Sequence, residues 1–239
     1  MAVIFLESKD NAKIKHLRGL IELNSARKKH QQTVLEGTHL CLTWLQQQKK
    51  IFSLFTTEQA LAHPDLQKII ELHKGHIFVI SEVLYKDLST LGTTLPCLAI
   101  IDLPSNIQTI DFSKDTLILE NVQDPGNVGT LLRSAAAANV KQVICTQGSA
   151  LLWSPRVLRA GMGAHFSLHC FENYQLTDIL PKFNIPVFVT SSHRSTSLYG
   201  KDLTQPCVWI LGNEGQGASD YALNMPRLSP FPNLVVRSP

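Results

Sequence analysis

Short apolar runs of β type alternate with amphipathic helical segments along most of the chain, and this alternation most constrains its fold. Helices separate the strands predicted in the first half, which span 33–36, 51–56, 77–80 and 97–101. Helices also separate those predicted in the second half, which span 116–119, 142–146, 186–190 and 208–211. The first half is predicted to form a small α/β sandwich, and the second half a mainly parallel sheet with ligands at its carboxyl edge. The pattern therefore predicts an α/β fold.

A segment without clear periodicity, residues 102–115, separates the two halves. It contains Pro104, Ser105 and Asn106, which are typical of a linker. We therefore predict two domains, 1–105 and 106–239. A chain of 239 residues, of which 44% are hydrophobic, is long enough for two modest cores.

Basic residues are concentrated near the amino terminus. Of the 22 Lys and Arg, nine lie in the first 50 residues, where only four of the 19 Asp and Glu lie. The helix predicted over 11–23 carries Lys13, Lys15 and Arg18 on its outer face. This asymmetry suits a polyanionic partner, and a solvated helix face is the alternative.

Several function classes are disfavoured. No apolar run reaches the roughly 20 residues that span a bilayer, and the first ten residues lack a secretory pattern. A soluble, cytoplasmic protein without membrane contact is expected. Five scattered cysteines without a CxxC pair, and nine histidines without HExxH spacing, indicate reduced thiols and no metal site.

The segment LENVQDPGNVGTLLRS, from Leu119 to Ser134, joins a strand to a helix through an Asp-Pro-Gly turn. Asn127 is predicted to cap the helix, which is expected to begin near Asn127 and Val128. Arg133 lies under two turns further on and can offer a forked donor to a phosphate or a ribose oxygen. The alternative is a surface arginine on an ordinary helix.

A glycine-rich segment, WILGNEGQGAS from Trp209 to Ser219, follows another predicted strand. Glycines permit positive φ and let a ligand approach the backbone closely. The spacing of Gly212, Gly215 and Gly217 matches neither the Rossmann nor the P-loop pattern, so an unrelated nucleotide-binding α/β enzyme is the least favoured interpretation. Glu214 can pair with a nearby arginine or face water.

The two segments together, DPGNVGTLLR and LGNEGQG about 80 residues later, resemble the first two signature motifs of the SpoU (TrmH-like) family of RNA ribose 2′-O-methyltransferases, within the SPOUT superfamily. The front of the chain, SKDNAKIKHLRGL followed by VLEGTHLCLTWL, is similar to the substrate-binding domain of many members. The resemblance implies an L30e-like α/β domain followed by a SPOUT α/β domain with a trefoil knot. It also implies S-adenosylmethionine as methyl donor, structured RNA as substrate, with 23S ribosomal RNA favoured over transfer RNA, and a homodimer.

The resemblance also implies roles for individual residues. Arg133, Asn127 and Glu214 are expected to be catalytic, with Arg133 as the main group and Glu214 orienting it. Donor binding is expected from Thr190, Leu211, Gly212, Gly217, Met225 and Leu234. RNA contacts are expected from Lys9, Asn11, Lys13, Lys15, Arg18 and Arg159.

The carboxyl end departs from the family pattern. Members carry an Ile-Pro pair, then Ser-Leu-Asn and a helix rich in Ala and Val, whereas this sequence offers Met225-Pro226 and later NLVV. In the family this end completes the knot, the donor pocket and the dimer, so the altered end can leave the knot incomplete. The alternative function is therefore an RNA-binding protein of the same fold with impaired or lost donor binding.

Overall fold

The computed structural model describes residues 3–90, 95–104, 109–191, 203–224 and 234–237. The chain forms two compact units. The first contains Met1–Ser105 together with Trp153–Gly163, and the second contains Asn106–Leu152 and Ala164–Pro239. The division after Ser105 lies within the predicted linker. The short segment Trp153–Gly163 falls within the predicted second domain but groups with the first unit.

The described residues form eleven strands and nine α-helices, numbered in chain order. The strands are β1 (Val3–Leu6), β2 (Gln32–Glu36), β3 (Ser53–Thr57), β4 (His76–Ile80), β5 (Leu98–Asp102), β6 (Thr116–Leu119), β7 (Gln142–Thr146), β8 (His169–Tyr174), β9 (Val187–Ser191), β10 (Val208–Leu211) and β11 (Leu234–Arg237). The helices are α1 (Ala12–Glu22), α2 (Asn24–His30), α3 (Thr38–Gln46), α4 (Pro64–Leu72), α5 (Glu82–Leu88), α6 (Pro125–Ala137), α7 (Pro155–Ala160), α8 (Leu176–Ile179) and α9 (Asp220–Asn224).

The first unit is built on a five-stranded mixed sheet in the order β1-β4-β3-β5-β2. Strands β1, β4 and β3 are parallel, and β5 is antiparallel to both β3 and β2. Strand β2 therefore runs in the same direction as β3, and the amino ends of β2, β3 and β4 lie at one edge. The core includes Ile14, Leu17 and Leu20 from α1, which is the apolar stripe that the sequence predicts.

The second unit is built on a six-stranded sheet in the order β11-β9-β10-β6-β7-β8. Every neighbouring pair is parallel, so the carboxyl ends of all six strands lie at the same edge. Buried residues of the central strands form the core, among them Ile118, Ile144, Val189 and Ile210. The predicted α/β class and the mainly parallel sheet are confirmed.

Some elements differ from the prediction. The helix expected between the strands predicted at 51–56 and 77–80 is interrupted at His63, because a 3-10 turn at Gln59–Ala62 precedes α4 and Pro64 occupies the first position of that helix. Strands β1, β8 and β11 and helix α2 were not predicted. Within the described residues, no helix is both long and apolar enough to cross a membrane.

Candidate active site

The two motif segments meet at the carboxyl edge of the second unit's sheet. Strands β6 and β10 are parallel neighbours in which Leu119 pairs with Leu211, so the loops that follow them leave the sheet side by side. Across these loops, the Asn127 Nδ2 group donates a hydrogen bond to Glu214 Oε1 at 2.9 Å. Residues 87 positions apart in sequence are thereby joined in one site.

The start of α6 corrects the predicted role of Asn127. Asp124 is the N-cap residue, since its Oδ1 accepts a hydrogen bond from the Asn127 amide at 2.8 Å, and Pro125 takes the first helical position. Asn127 therefore lies inside the first turn, and the prediction that it caps the helix is wrong. Because Asp124 caps the backbone, the exposed Asn127 side chain can bind Glu214.

Glu214 lies over the amino end of α6 as an ionised carboxylate. The hydrogen bond from Asn127 holds its pKa below the ordinary value, and the backbone amides of Glu214 itself, Asp124 and Gln123 lower it further. Exposed amides at a helix start favour a negative charge, which explains this placement. Glu214 therefore bridges the glycine-rich turn and the amino end of α6.

Asn213 organises the glycine-rich turn. Its backbone exchanges two hydrogen bonds with Gly217, at 3.0 and 2.8 Å. Its side-chain Oδ1 accepts hydrogen bonds from the amides of Gly215 and Gln216, and its Nδ2 donates to the carbonyl of Asn121 at 2.9 Å. One side chain thus closes the turn after β10 and ties it to the residue that follows Glu120.

The glycines of this turn serve different purposes. A Cβ added to Gly212 would lie 2.1 Å from the Ala218 amide nitrogen, so the turn packs against itself at this position. Gly217 has φ +73°, and a Cβ there would meet nothing within 4 Å. A Cβ added to Gly215 would fit without a clash, since it would lie 3.6 Å from Asn213 Oδ1. Gly212 is therefore required by internal packing, whereas Gly217 presents its backbone to an open region.

Arg133 is an exposed residue of α6. Six residues separate it from Asn127, which places it about 9 Å further along the helix and roughly 120° around its axis. No hydrogen bond or ion pair joins Arg133 to another described residue, and Glu214 binds Asn127 there rather than Arg133. The charged guanidinium is thus available to an anionic partner, and its predicted orientation by Glu214 stays a prediction.

Three of the residues expected to bind the methyl donor lie on neighbouring strands: Thr190, Leu211 and Leu234. Thr190 is near the end of β9 and donates through Oγ1 to the Ile210 carbonyl at 3.3 Å. Thr190, Leu211 and Gly212 are all half-buried, so part of each residue is accessible from the surface. Leu234 begins β11 and pairs with Phe188 of β9. Met225 lies outside the described residues.

Glu120 is a site residue that the sequence analysis missed. It is buried, with 9% of its surface exposed, directly after β6. Its Oε2 accepts a hydrogen bond from the Ser219 amide at 2.9 Å, and its own amide donates to the Leu211 carbonyl at 2.8 Å. The sequence signal that could have identified Glu120 is an acidic residue directly after a predicted buried strand. The contact fixes the far end of the glycine-rich turn.

Two residues of α1 that were predicted to contact RNA form ion pairs within the protein. Lys15 Nζ lies 3.0 Å from Asp10 Oδ1, and Arg18 binds both Glu22 and Asp87. These contacts reduce the positive charge that the helix offers.

The other predicted RNA contacts have different surroundings. Lys9 and Lys13 are exposed. Asn11 caps α1, since its Oδ1 accepts from the Lys13 amide at 2.9 Å. Arg159 is exposed on α7 and donates to the Thr90 carbonyl at 3.3 Å. Among the described residues, no group of three or more His, Cys, Asp or Glu could hold a metal ion.

Two family models match the chain. The model of the SpoU rRNA Methylase family matches residues 114–227, and that of the MRM3-like substrate binding domain matches residues 11–99. An uncharacterised tRNA/rRNA methyltransferase of Synechocystis is 31% identical over 226 residues, which cover 92% of this chain and 82% of that protein. The chain belongs to the SpoU (TrmH-like) family. This confirms the predicted family.

Other SpoU-family relatives differ in length. The mitochondrial rRNA methyltransferase 3B of Danio rerio is 34% identical over 205 residues, which cover 80% of this chain and 45% of that protein. The chain thus spans about half the length of that relative. The 23S rRNA (guanosine(2553)-2′-O)-methyltransferase RlmP of Bacillus subtilis is 25% identical over 220 residues, covering 91% of this chain and 85% of that protein.

Solved structures share the SpoU-family fold. A protein assigned to the TrmH family of RNA methyltransferases, from Porphyromonas gingivalis, has a TM-score of 0.78 at 30% identity, covering 96% of this chain and 88% of that chain. The SpoU methyltransferase AviRb of Streptomyces viridochromogenes, solved with the cofactor AdoMet, has a TM-score of 0.82 at 17% identity, covering 96% and 89%. At that identity the likeness supports the fold alone.

Proposed function

We propose that this SpoU-family protein transfers a methyl group from S-adenosylmethionine to a ribose 2′-hydroxyl of structured RNA, with ribosomal RNA as the expected class. The observation that carries the proposal is the Asn127–Glu214 hydrogen bond, which brings both family motifs together on the helix that bears Arg133. The relationship to RlmP supports the 2′-oxygen of ribosomal RNA as the target.

The carboxyl edge of β9 and β10 fits S-adenosylmethionine. An adenosine needs a partly apolar cleft with main-chain polar groups, and Thr190, Leu211 and Gly212 are half-buried at that edge. The backbone at Gly217 has open space on the side that a Cβ would fill. These residues would hold the donor together with Leu234 and Met225, and the bound donor would supply an electrophilic methyl carbon.

Arg133 would activate the 2′-hydroxyl as a cation. A ribose hydroxyl is a poor nucleophile at neutral pH, so the site must stabilise the negative charge that develops on its oxygen. Deprotonating an ordinary guanidinium at pH 7 costs about 9 kcal/mol, which argues against a role as base. Arg133 would instead bind the 2′-oxygen or its neighbouring phosphate and hold the oxygen in line for attack. The proton would leave to phosphate or water.

Three further features belong to this proposal because they follow from the family. They are an L30e-like first unit that binds RNA, a trefoil knot in the second unit, and a homodimer. Strand β11, formed by the divergent carboxyl end beside β9, is compatible with a role for this segment next to Thr190. Gel filtration with light scattering measures the oligomeric state, and a monomer would remove the dimer from the proposal.

The direct test of the function compares RNA from cells with and without this protein. Mass mapping of 2′-O-methylated nucleotides is expected to show one or more methyl groups that depend on the protein. In the purified protein, S-adenosylmethionine at 100 times its Kd should add about 2.7 kcal/mol to the unfolding free energy. RNA binding without any donor effect would support the alternative, a binding protein that has lost methyl transfer.

A further inference from the structure

The first unit has a basic cavity at the amino edge of its sheet. The cavity has a volume of about 550 Å³ and lies at the loops that precede β3 and β4. Three lysines line it: Lys49, Lys50 and Lys74. Lys50 and Lys74 are exposed, and no ion pair joins either of them to another described residue. Lys50 and Lys74 therefore give the cavity a positive charge that no ion pair with a described residue compensates.

Apolar surface lies among these lysines. Leu72 lines the cavity and is 49% exposed, and Ile51 lines it as a buried residue. Phe52 follows directly and is 54% exposed. The two loops abut, since a Cβ on Gly75 would lie 3.5 Å from the Phe52 carbonyl oxygen. A cavity with apolar walls and charged rims suits a ligand that is flat, apolar on its faces and anionic at its ends.

Further lysines lie along the same edge. Strand β2 runs in the direction of β3, so α2, which precedes β2, ends at this edge. Its last turn contains Lys28 and Lys29, and both are exposed. Two strand spacings separate β2 from β3, a distance of about 10 Å. Lys28 and Lys29 therefore lie at the same edge as the cavity, and Asp102, at the end of β5 between β2 and β3, is the acidic residue between them.

One cavity at the opposite edge of the same sheet has an acidic lining. This second cavity, of about 300 Å³, lies at the carboxyl ends of β1, β3 and β4. Its charged lining residues are Glu7, Glu58 and Glu82. A polyanion is attracted to the amino edge and repelled from this cavity.

We propose that the amino-edge surface, defined by Lys28, Lys29, Lys49, Lys50, Lys74 and Phe52, binds an unpaired segment of the RNA substrate. The phosphates of this RNA segment contact the lysines, and one of its bases stacks on Phe52 or enters the cavity. Single-stranded RNA is bound by this combination of a basic track and an exposed aromatic or apolar platform. The inference rests on the proposed function, because it takes RNA as the substrate.

The salt dependence of RNA binding tests the lysines. For single strands, the slope of log K against log salt changes by about 0.7 for each phosphate contact, so Lys50→Gln with Lys74→Gln should reduce it by about 1.4. Lys49 is left intact because its ammonium lies 4.5 Å from the Trp44 ring centroid. The matched control is Lys68→Gln with Lys114→Gln, which removes two exposed lysines that already pair with Asp65 and Asp111. An unchanged slope in the first variant overturns the proposal.

A second variant tests stacking. Phe52→Ala should weaken binding of a single-stranded RNA about fivefold or more, with little effect on a duplex of equal length. Equal losses for both RNAs, or competition by polyglutamate as strong as that by RNA, would show a surface that reads charge alone and would overturn the proposal. Unchanged melting temperatures establish that the variants are folded.

Methyl transfer by the wild-type protein separates this inference from the proposed function. Lysine-dependent RNA binding without any methyl transfer would retain the amino-edge surface and reject the function. Methyl transfer with unchanged salt slopes would retain the function and reject the surface.

Discussion

Asn127 and Glu214 are the two side chains that give the candidate site its shape. Their hydrogen bond joins a neutral amide to an ionised carboxylate, on a surface where water weakens such contacts. The hydrogen bond therefore matters for the geometry of the site, because it aligns the turn that bears Gly212 with the helix that bears Arg133. Its contribution to the free energy of unfolding is expected to be small.

The effect of this contact can be measured with a double-mutant cycle. Asn127→Ala and Glu214→Ala are each expected to weaken S-adenosylmethionine binding severalfold, because either change removes the hydrogen bond that holds the turn to α6. The double variant should lose little more than either single variant, since both remove the same contact. Calorimetric titration of the donor measures all four proteins. Fully additive losses would mean that the two residues act separately.

His165 provides a pH-dependent test of the second unit. Burial lowers the pKa of His165 to about 4, and its Nε2 donates to the Leu152 carbonyl at 2.8 Å. The unfolded chain takes up this proton near pH 6.5, so the stabilisation is complete above that pH and is lost as the pH falls towards 4. Between pH 7 and 5, wild-type unfolding free energy should fall by about 2 kcal/mol more than that of His165→Gln. Urea unfolding at both pH values measures this difference, and parallel losses in the two proteins would contradict it.

At the scale of elements, the glycine-rich turn is a closed unit and not a loose loop. Asn213 bonds three of its residues, Glu120 holds its end at Ser219, and Gly212 packs against Ala218. The turn therefore enters the site with its shape already fixed, which reduces the ordering cost of ligand binding.

Alanine substitutions in this turn should have graded effects. Gly212→Ala is expected to destabilise the second unit and abolish donor binding, because its Cβ would overlap the backbone of Ala218. Gly217→Ala should cost about 1 kcal/mol through its positive φ. Gly215→Ala, which has room for a methyl group, is the matched control and should bind the donor normally. Thermal unfolding and calorimetry measure these effects, and equal behaviour of the Gly212 and Gly215 variants would refute the assignment.

The central strands could be predicted because each carries a continuous apolar run. Strand β1, with the sequence VIFL, also carries such a run and was missed although it was readable, whereas β8, with the sequence HCFENY, has no apolar run and buries only Phe171. Helix α2 has the sequence NSARKKH and buries only Arg27, so it lacks an apolar stripe. The burial of one charged residue through a tertiary contact leaves no pattern in the local sequence.

The site could be predicted in its motif residues but not in their contacts. Asp124 caps α6 because Pro125 fixes the first helical position, a local feature that was readable and that we assigned to Asn127 instead. The contacts of Glu120 with Ser219 and of Asn213 with Asn121 join residues 99 and 92 positions apart. Such pairs are set by the neighbouring positions of β6 and β10 in the sheet, which composition and periodicity do not specify.

At the scale of the whole molecule, the number of charges is less informative than their pairing. The basic amino-terminal region predicted a polyanionic partner, yet Arg27 is buried against the Leu20 carbonyl and Arg18 binds Asp87, 69 residues away. Among the described lysines without an ion pair, Lys28, Lys29, Lys50 and Lys74 lie along the amino edge of the first unit's sheet. The proposed RNA surface follows from this pairing, which only the folded chain reveals.

Methyl transfer by Arg133 variants tests the central claim most directly. Purified wild-type protein, Arg133→Ala and Arg133→Lys are each incubated with substrate RNA and S-adenosylmethionine labelled in its methyl group, and donor affinity is measured separately by calorimetry. The wild type should label the 2′-oxygen of the RNA, while both variants should bind the donor with nearly unchanged affinity and lose transfer by several orders of magnitude. Full transfer by either variant, or a wild-type protein that binds no donor, would contradict the account.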